Sequence, residues 1–357
     1  MSKLIFPAEE LSGIVEPLLS WYDRCRRVLP WRENPTPYRV WVSEIMLQQT
    51  RVEAVKGYYE RFLSELPDIR ALAAAPEEKL LKLWEGLGYY SRARNLQKAA
   101  KLVAAQYDGK LPASYDELLK LPGFGAYTAG AVASIAFGIP VPAVDGNVLR
   151  VISRILASRE DIAKPEVKAA VTETIQAILP VDRVGDFNQS LMELGATVCL
   201  PNGQPMCESC PVASMCEAYR QGATGEIPVK AAKKARRIEE RTVFLLVNKG
   251  RVALRKRPDT GLLAGLWEFP SVEGALSADQ TVNVLADWGL STVKCNTLKA
   301  AKHIFTHIEW RMTGYLIQVD EVNDFQGFVW ADRTCLTEEL TLPSAFQAYY
   351  KELLRIL

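Results

Sequence analysis

A chain of 357 residues, 48% hydrophobic and 24% charged, is longer than one hydrophobic core usually grows and ordinary in composition, so two globular domains are expected. A formal net charge of +1 removes whole-chain charge as an argument for nucleic-acid binding. No apolar run approaches ~18 residues and the amino terminus has no basic-then-apolar signal, so the expectation is a soluble cytoplasmic protein without a membrane segment.

The first part of the chain reads as helical to about Glu226. Pro17 suits a first helical turn, and Leu18, Trp21, Tyr22, Cys25, Val28 and Leu29 follow at helical spacing. Thr36-Pro37 is a cap followed by a first-turn proline and opens a helix to about Thr50. Further helical stretches are expected near 52–66, 77–84, 91–107, 115–120, 126–137, 147–157 and 165–179. Glu44 shares a helix face with Val40, Trp41 and Leu47, an apolar setting that would desolvate its carboxyl, raise its pKa and suit it to donate a proton. Pairing with Arg39 or Arg51, or plain exposure, is the alternative. Leu121-Pro122-Gly123-Phe124-Gly125 joins two helices, and its glycines let the backbone turn N–H groups outward beside a helix start, as an anion site requires. A ligand-free helix–helix turn would read the same way. Asp145 precedes a helix as an N-cap, where helix N–H groups and the helix dipole favour the ionised form.

Cys199, Cys207, Cys210 and Cys216 crowd one stretch that contains no histidine. Thiolate-only ligation means zinc or an iron–sulfur cluster. A single C-x-x-C, flanked by a seven-residue gap before and a five-residue gap after, fits one cluster better than the paired knuckles of a zinc ribbon. Residues 227–240, with Lys230, Lys233, Lys234, Arg236 and Arg237, read as a basic linker. Beyond it Thr242–Val247, the turn Asn248-Lys249-Gly250 and Arg251–Leu254 form a β-hairpin pattern. His303–Val319 and Phe328–Trp330 read as strands, and 277–288 and 344–356 as helices, giving an α+β domain over 241–357.

Several of these segments carry a resemblance. Leu29-Pro30-Trp31-Arg32, the run from Trp41 to Thr50, Trp84-Glu85-Gly86-Leu87-Gly88-Tyr89-Tyr90, LPGFG and Val144–Val148 resemble the adenine DNA glycosylase (MutY) family of base-excision enzymes. The cysteine loop resembles that of the endonuclease III branch, with a first gap one residue longer than usual. The resemblance implies an all-α helix–hairpin–helix glycosylase domain over 1–226, with a [4Fe-4S] cluster on the four cysteines of the 199–216 loop, followed by a Nudix-like domain. It implies that Glu44 protonates the adenine, at N7, that Asp145 stabilises the sugar cation, and that Asn147 orients the site. Tyr127 stands where lyase relatives have a lysine, so base removal without strand cleavage is expected. Gln49, Leu87 and Tyr89 resemble the wedge that fills the gap left by a flipped base. Gly123 and Gly125 would meet the DNA backbone, and Arg32, like Arg27, phosphate or the pocket. In the second domain, Gly265–Pro270 resembles the early Nudix loop and Phe305-Thr306-His307 the lesion-reading tip, with threonine in place of serine. The stretch after Pro270 lacks the Glu-rich metal helix of a Nudix hydrolase, so reading without hydrolysis is expected. The implied substrate is double-stranded DNA with adenine opposite 8-oxoguanine or guanine, bound by a monomer. A glycosylase for thymine or uracil opposite guanine, and a non-catalytic DNA-binding protein, are the competing readings.

Overall fold

In the computed structural model, which describes Phe6 and residues 8–231, 235–320 and 327–357, the chain divides into two compact units. They are Met1–Ala74 with Arg94–Ala232, and Ala75–Ala93 with Lys233–Leu357.

The first unit is helical. The helix Pro37–Leu47 begins as read, with the Thr36 side chain accepting from the Arg39 N–H. It ends at Leu47 and does not reach Thr50, because Gln49 sits at φ 59°, a conformation that no helix continues through. The helix Ala126–Phe137 is buried from Thr128 to Ser134. Its glycine is required by close approach: a Cβ on Gly130 would lie 2.2 Å from the Pro142 carbonyl oxygen. It packs against Pro37–Leu47 and against Val184–Thr197, a helix the sequence reading omitted. Asn188, Ser190 and Glu193 are buried on that helix, so its inward face is partly polar and shows no clean apolar period. Asn188 is fully bonded there, donating to Ser134 Oγ (2.9 Å) and the Val141 carbonyl (2.9 Å) and accepting from the Ala143 N–H (3.1 Å). The core gathers Leu18, Trp21 and Tyr22 from Val15–Cys25, Val148 and Ile152 from Gly146–Ile155, and Phe187 and Leu191. Each such side chain contributes about 1.5–3 kcal/mol by leaving water.

The second unit is built on one sheet. Its strands are β1 (Arg237–Asn248), β2 (Arg251–Lys256), β3 (Trp267–Glu268), β4 (Ser271–Glu273), β5 (Thr292–Thr297), β6 (Ala301–Ile304), β7 (Ile308–Val319) and β8 (Phe328–Ala331). The path runs β3-β2-β1-β7-β5, with β4 also on β1, β6 on β7 and β8 on β2. Only the β1–β7 pairing is parallel among the described strands. Both faces are covered. Val243 and Leu245 pack with Phe346, Tyr349 and Leu353 of the terminal segment, while Phe244 and Leu246 pack with Leu285 of the helix Ala278–Asp287.

Three expectations are revised here. The run His303–Val319 is two strands, because the chain reverses at Phe305–His307 and brings Ile304 opposite Glu309. The expected linker 227–240 is shorter, since β1 begins at Arg237 and the Arg237 N–H donates to the His307 carbonyl (3.0 Å). Lys233 and Lys234 lie outside the described residues. Finally, Ala75–Ala93, expected within the helical domain, packs with the second unit. There Lys82 Nζ donates to the carbonyls of Leu336 (3.2 Å) and Leu340 (3.0 Å).

Candidate active site

Glu44, Tyr127, Asp145 and Asn147 line one open cleft in the first unit, together with Arg27, Arg32, Gln49, Gly123 and Gly125. The sequence spreads these residues over many elements, and the fold brings them together. Glu44 is 7% exposed and accepts a short hydrogen bond from the Tyr127 hydroxyl. That hydroxyl also lies 3.4 Å from Met192 Sδ. Burial pushes the Glu44 carboxyl up to about 7. The Tyr127 hydroxyl opposes this, the Asp145 carboxylate adds to it, and Arg32 opposes it. The Tyr127 hydroxyl itself is raised well above its ordinary range by burial and the neighbouring carboxylates, so it stays a donor.

Asp145 is the N-cap of Gly146–Ile155 and accepts three hydrogen bonds of 2.8 Å, from the N–H groups of Asn147 and Val148 and from the Asn147 side-chain amide. The cap geometry is as read, but its electrostatic consequence is not. Burial pushes the Asp145 carboxyl above its ordinary value, and the three donors pull it back only in part. The proton still has a preferred home. Three N–H donors serve Asp145 and favour its anion, whereas Glu44 accepts from a single phenol in an apolar setting. Of two coupled carboxyls in one cleft, Glu44 therefore protonates first.

Behind Asn147 stands Arg150, buried, which donates to Asn147 Oδ1 (2.9 Å), the Gly195 carbonyl (2.7 Å) and the Cys199 carbonyl (2.9 Å). Gly195 has no room for a side chain, since a Cβ would lie 2.6 Å from Asn147 Cβ. The amide that holds Asp145 is thus itself fixed in rotamer by the cysteine-bearing stretch.

Glu193 escaped the sequence reading. It is 1% exposed, accepts from Arg27 Nε (2.7 Å) and Nη2 (2.8 Å), and also from Arg32 Nη2 (2.8 Å). Burial alone would raise its carboxyl, but the hydrogen bonds from the two guanidiniums carry it down to about 2. Arg32 also lies over the Tyr22 ring at 5.5 Å and donates to the Arg27 carbonyl (3.1 Å). Arg32 is therefore a wall of the cleft; as placed, its guanidinium serves Glu193. No motif marked Glu193, because its helix was not read. Lys168 also lines this cleft.

The LPGFG segment turns at Gly123 (φ 80°) and leads into Gly125 as N-cap of Ala126–Phe137. Phe124 is buried against Trp41, with ring centroids 5.2 Å apart, which leaves both glycines at the surface. Gln49, exposed at its positive φ, projects at the cleft.

In the second unit, Leu87 and Tyr89 differ. Leu87 is 7% exposed and Tyr89 48%, so as placed only Tyr89 is presented, and the expected wedge role of Leu87 meets a packed side chain. The Tyr89 hydroxyl lies 3.0 Å from Thr306 Oγ1. Thr306 and His307 are exposed at the β6–β7 turn, while Phe305 is anchored by ring contacts with His303 (4.6 Å) and Trp310 (4.9 Å).

Cys199, Cys207, Cys210 and Cys216 line one small pocket. Among the described residues no three His, Cys, Asp or Glu side chains are grouped closely enough, as placed, to hold a metal ion. Burial pushes the Cys210 thiol up to about 12, and raises Cys207 and Cys216 as well. Thiols so placed become ligands when a bound cationic centre stabilises their thiolates. Arg154 laces this loop to the helix of Asp145, donating to Cys199 Sγ (3.2 Å), the Leu200 carbonyl (2.9 Å) and the Ile227 carbonyl (2.8 Å).

Comparison with known proteins finds two families along the chain, the first of them running through Ala75–Ala93 as well. A family model described as HhH-GPD superfamily base excision DNA repair protein matches residues 42–177, and a NUDIX domain model matches residues 242–352. Adenine DNA glycosylase of Mus musculus is 37% identical over 362 residues, covering 85% of this chain and 70% of that protein. The adenine DNA glycosylase of Buchnera aphidicola subsp. Schizaphis graminum is 31% identical, covering 92% of this chain and 95% of that protein. Among solved structures, a thermostable thymine-DNA glycosylase aligns with TM-score 0.53 at 29% identity, over 60% of this chain and 98% of that one. A trapped endonuclease III–DNA covalent intermediate aligns with TM-score 0.53 at 25% identity, over 61% and 99%.

Proposed function

The chain belongs to the adenine DNA glycosylase family of base-excision repair enzymes, and on that footing we propose that it acts on duplex DNA, hydrolysing the N-glycosidic bond of adenine opposite 8-oxoguanine or guanine. The observation that carries the reaction is the pair of carboxyls with unequal environments in one cleft. Glu44, near neutrality in its pKa, gives its proton to the departing purine. Asp145, held by three N–H donors, is the anion that faces positive charge on the deoxyribose as the bond breaks. Asn147 and Arg150 keep that carboxylate in place. Tyr127 keeps Glu44 aimed and offers no amine, which supports hydrolysis that leaves an abasic site. The adenine must leave the stack to enter the cleft. Gln49, at the cleft, and Tyr89, presented on its loop, are the side chains suited to fill the gap, and Gly123 and Gly125 present their backbone to phosphate. Thr306 and His307, at an exposed turn, are the reading tip for the opposite base, with Phe305 as its anchor.

The four cysteines support a [4Fe-4S] cluster: an all-thiol donor set, with no imidazole, lines one pocket. Such a group, when bound, would supply a four-point brace across the loop. The chain's own part is to tie that brace, through Arg150 and Arg154, to the helix that begins at Asp145. Metal analysis of purified protein should find about four iron per chain, with visible absorbance that Cys210→Ser abolishes. One zinc per chain would reject the cluster.

The functional test is base release from duplexes with adenine opposite 8-oxoguanine and opposite guanine, with and without alkali. Strand breaks only after alkali, formed faster opposite 8-oxoguanine, are expected. Breaks without alkali would assign a lyase step to an amine such as Lys168 at the cleft. Release from thymine or uracil mispairs alone would overturn the substrate assignment.

A further inference from the structure

We propose that Lys82 and Glu85 are positioning residues that fasten the Gly86–Tyr90 loop to the body carrying the reading turn, so that wedge and reader meet a mispair as one piece. The inference rests on the function proposed above for Tyr89 and Thr306.

The loop is held inside the second unit at two separate points. At its base, Lys82 Nζ donates to the carbonyls of Leu336 (3.2 Å) and Leu340 (3.0 Å), and pairs with Glu85 Oε2 (2.8 Å). Glu85 Oε1 in turn accepts from the Leu342 N–H (2.8 Å). Lys82, in the last turn of the helix Glu77–Leu83, and Glu85, just beyond its end, thus satisfy two carbonyls and an N–H at the end of the short helical turn Cys335–Glu339 and in the segment that follows it, where helix-end groups need outside partners. That stretch belongs to the sheet, because the Trp267 N–H of β3 donates to the Thr341 carbonyl (3.2 Å). At its tip, the loop reaches the β6–β7 turn through the Tyr89 and Thr306 hydroxyls, 3.0 Å apart.

Between the two points the loop is stiff. Gly86 (φ 99°), Gly88 (φ 71°) and Tyr89 (φ 46°) make a tight turn. Trp84 Nε1 donates to the Gly88 carbonyl (3.2 Å), and Arg92 Nη2 donates to the Leu87 (3.0 Å) and Gly88 (3.1 Å) carbonyls. A displacement at Glu85 therefore has no slack to absorb it before Tyr89. The circuit runs from the sheet through 341–342 to Glu85, along the loop to Tyr89, and back to the sheet at Thr306. Neither Lys82 nor Glu85 is among the residues that line the cleft, and both stand at the base of the loop.

The test uses the full chain with Lys82→Met, Glu85→Gln and Lys82→Arg, the last keeping donors for the same carbonyls. Two quantities are measured: amide hydrogen exchange over 84–90, and the ratio of single-turnover adenine release opposite 8-oxoguanine to that opposite guanine. Lys82→Met is expected to raise exchange across the loop and lower the ratio about tenfold, as loss of charge-assisted bonds acting on a coupled pair would. Release opposite guanine should change much less, and Lys82→Arg should restore both. In the Lys82→Met background, Thr306→Val should have little further effect on the ratio. Faster exchange with an unchanged ratio, or fully additive effects of Lys82→Met and Thr306→Val, would overturn the proposal. If the unsubstituted chain releases adenine from neither duplex, the proposed function fails and the coupling with it, whereas a preference for 8-oxoguanine that survives Lys82→Met rejects the coupling alone.

Discussion

Glu44→Gln is expected to slow adenine release about 10³-fold, the range a positioned general acid supplies, while affinity for the mispaired duplex is kept. Glutamine has nearly the shape of the protonated acid and can still accept from the Tyr127 hydroxyl, so the cleft should keep its form. It has no proton to give. The same substitution should stabilise the fold at alkaline pH. In the folded chain the Glu44 carboxyl lies at about 7, against an ordinary value of 4.5, so between those values the folded state binds more protons than the unfolded one. Stability from this group is whole below pH 4.5 and is lost as pH rises through 7, by up to about 3 kcal/mol. A variant that is about 10³-fold slower in adenine release yet melts higher than the parent at pH 8 is the combined expectation. Retained release in Glu44→Gln would remove the residue from the chemistry.

Glu193→Gln is expected to cost about 3 kcal/mol of stability at pH 7, near the lower end for breaking a buried charged group because Arg27 is partly exposed. The neutral amide would leave two guanidiniums facing each other at the cleft wall without their shared anion. The pH dependence has the opposite sign to that of Glu44. The folded carboxyl lies at about 2, below its ordinary 4.5, so its stabilisation is present above pH 4.5 and disappears as pH falls through 2. Denaturant midpoints of parent and variant should therefore converge in strong acid. Equal stability at pH 7 would show that the triad adds nothing net.

What could be read from the sequence followed physical signals of short range. Thr36-Pro37, Asp145 and the Asn248-Lys249-Gly250 turn were legible because caps and hairpin turns are decided within a few residues. Glu44 was legible because its helix neighbours are apolar and desolvation follows. The electrostatics of Asp145 were not, because the burial that raises it comes from elements far along the chain. Glu193 was missed with its helix, whose buried face holds Asn188, Ser190 and a salt-bridged acid, so that hydrophobic period failed where polar partners did the packing. The attachment of Ala75–Ala93 to the second unit was equally hidden. It depends on Lys82 and Glu85 meeting backbone groups some two hundred and fifty residues away, and backbone groups carry no sequence signature. The split at Phe305–His307 falls between two runs that alternate alike, and no glycine or proline marks it.

The most direct test of the central claim, that one protonated and one ionised carboxyl share the work, is the pH dependence of single-turnover adenine release for the parent and for Glu44→Gln. The parent should lose rate above about pH 7 as Glu44 ionises, tenfold per pH unit in the limit, and the residual rate of the variant should show no such limb. A parent rate that is flat through neutrality, or the same falling limb in Glu44→Gln, would contradict the assignment of the proton to Glu44.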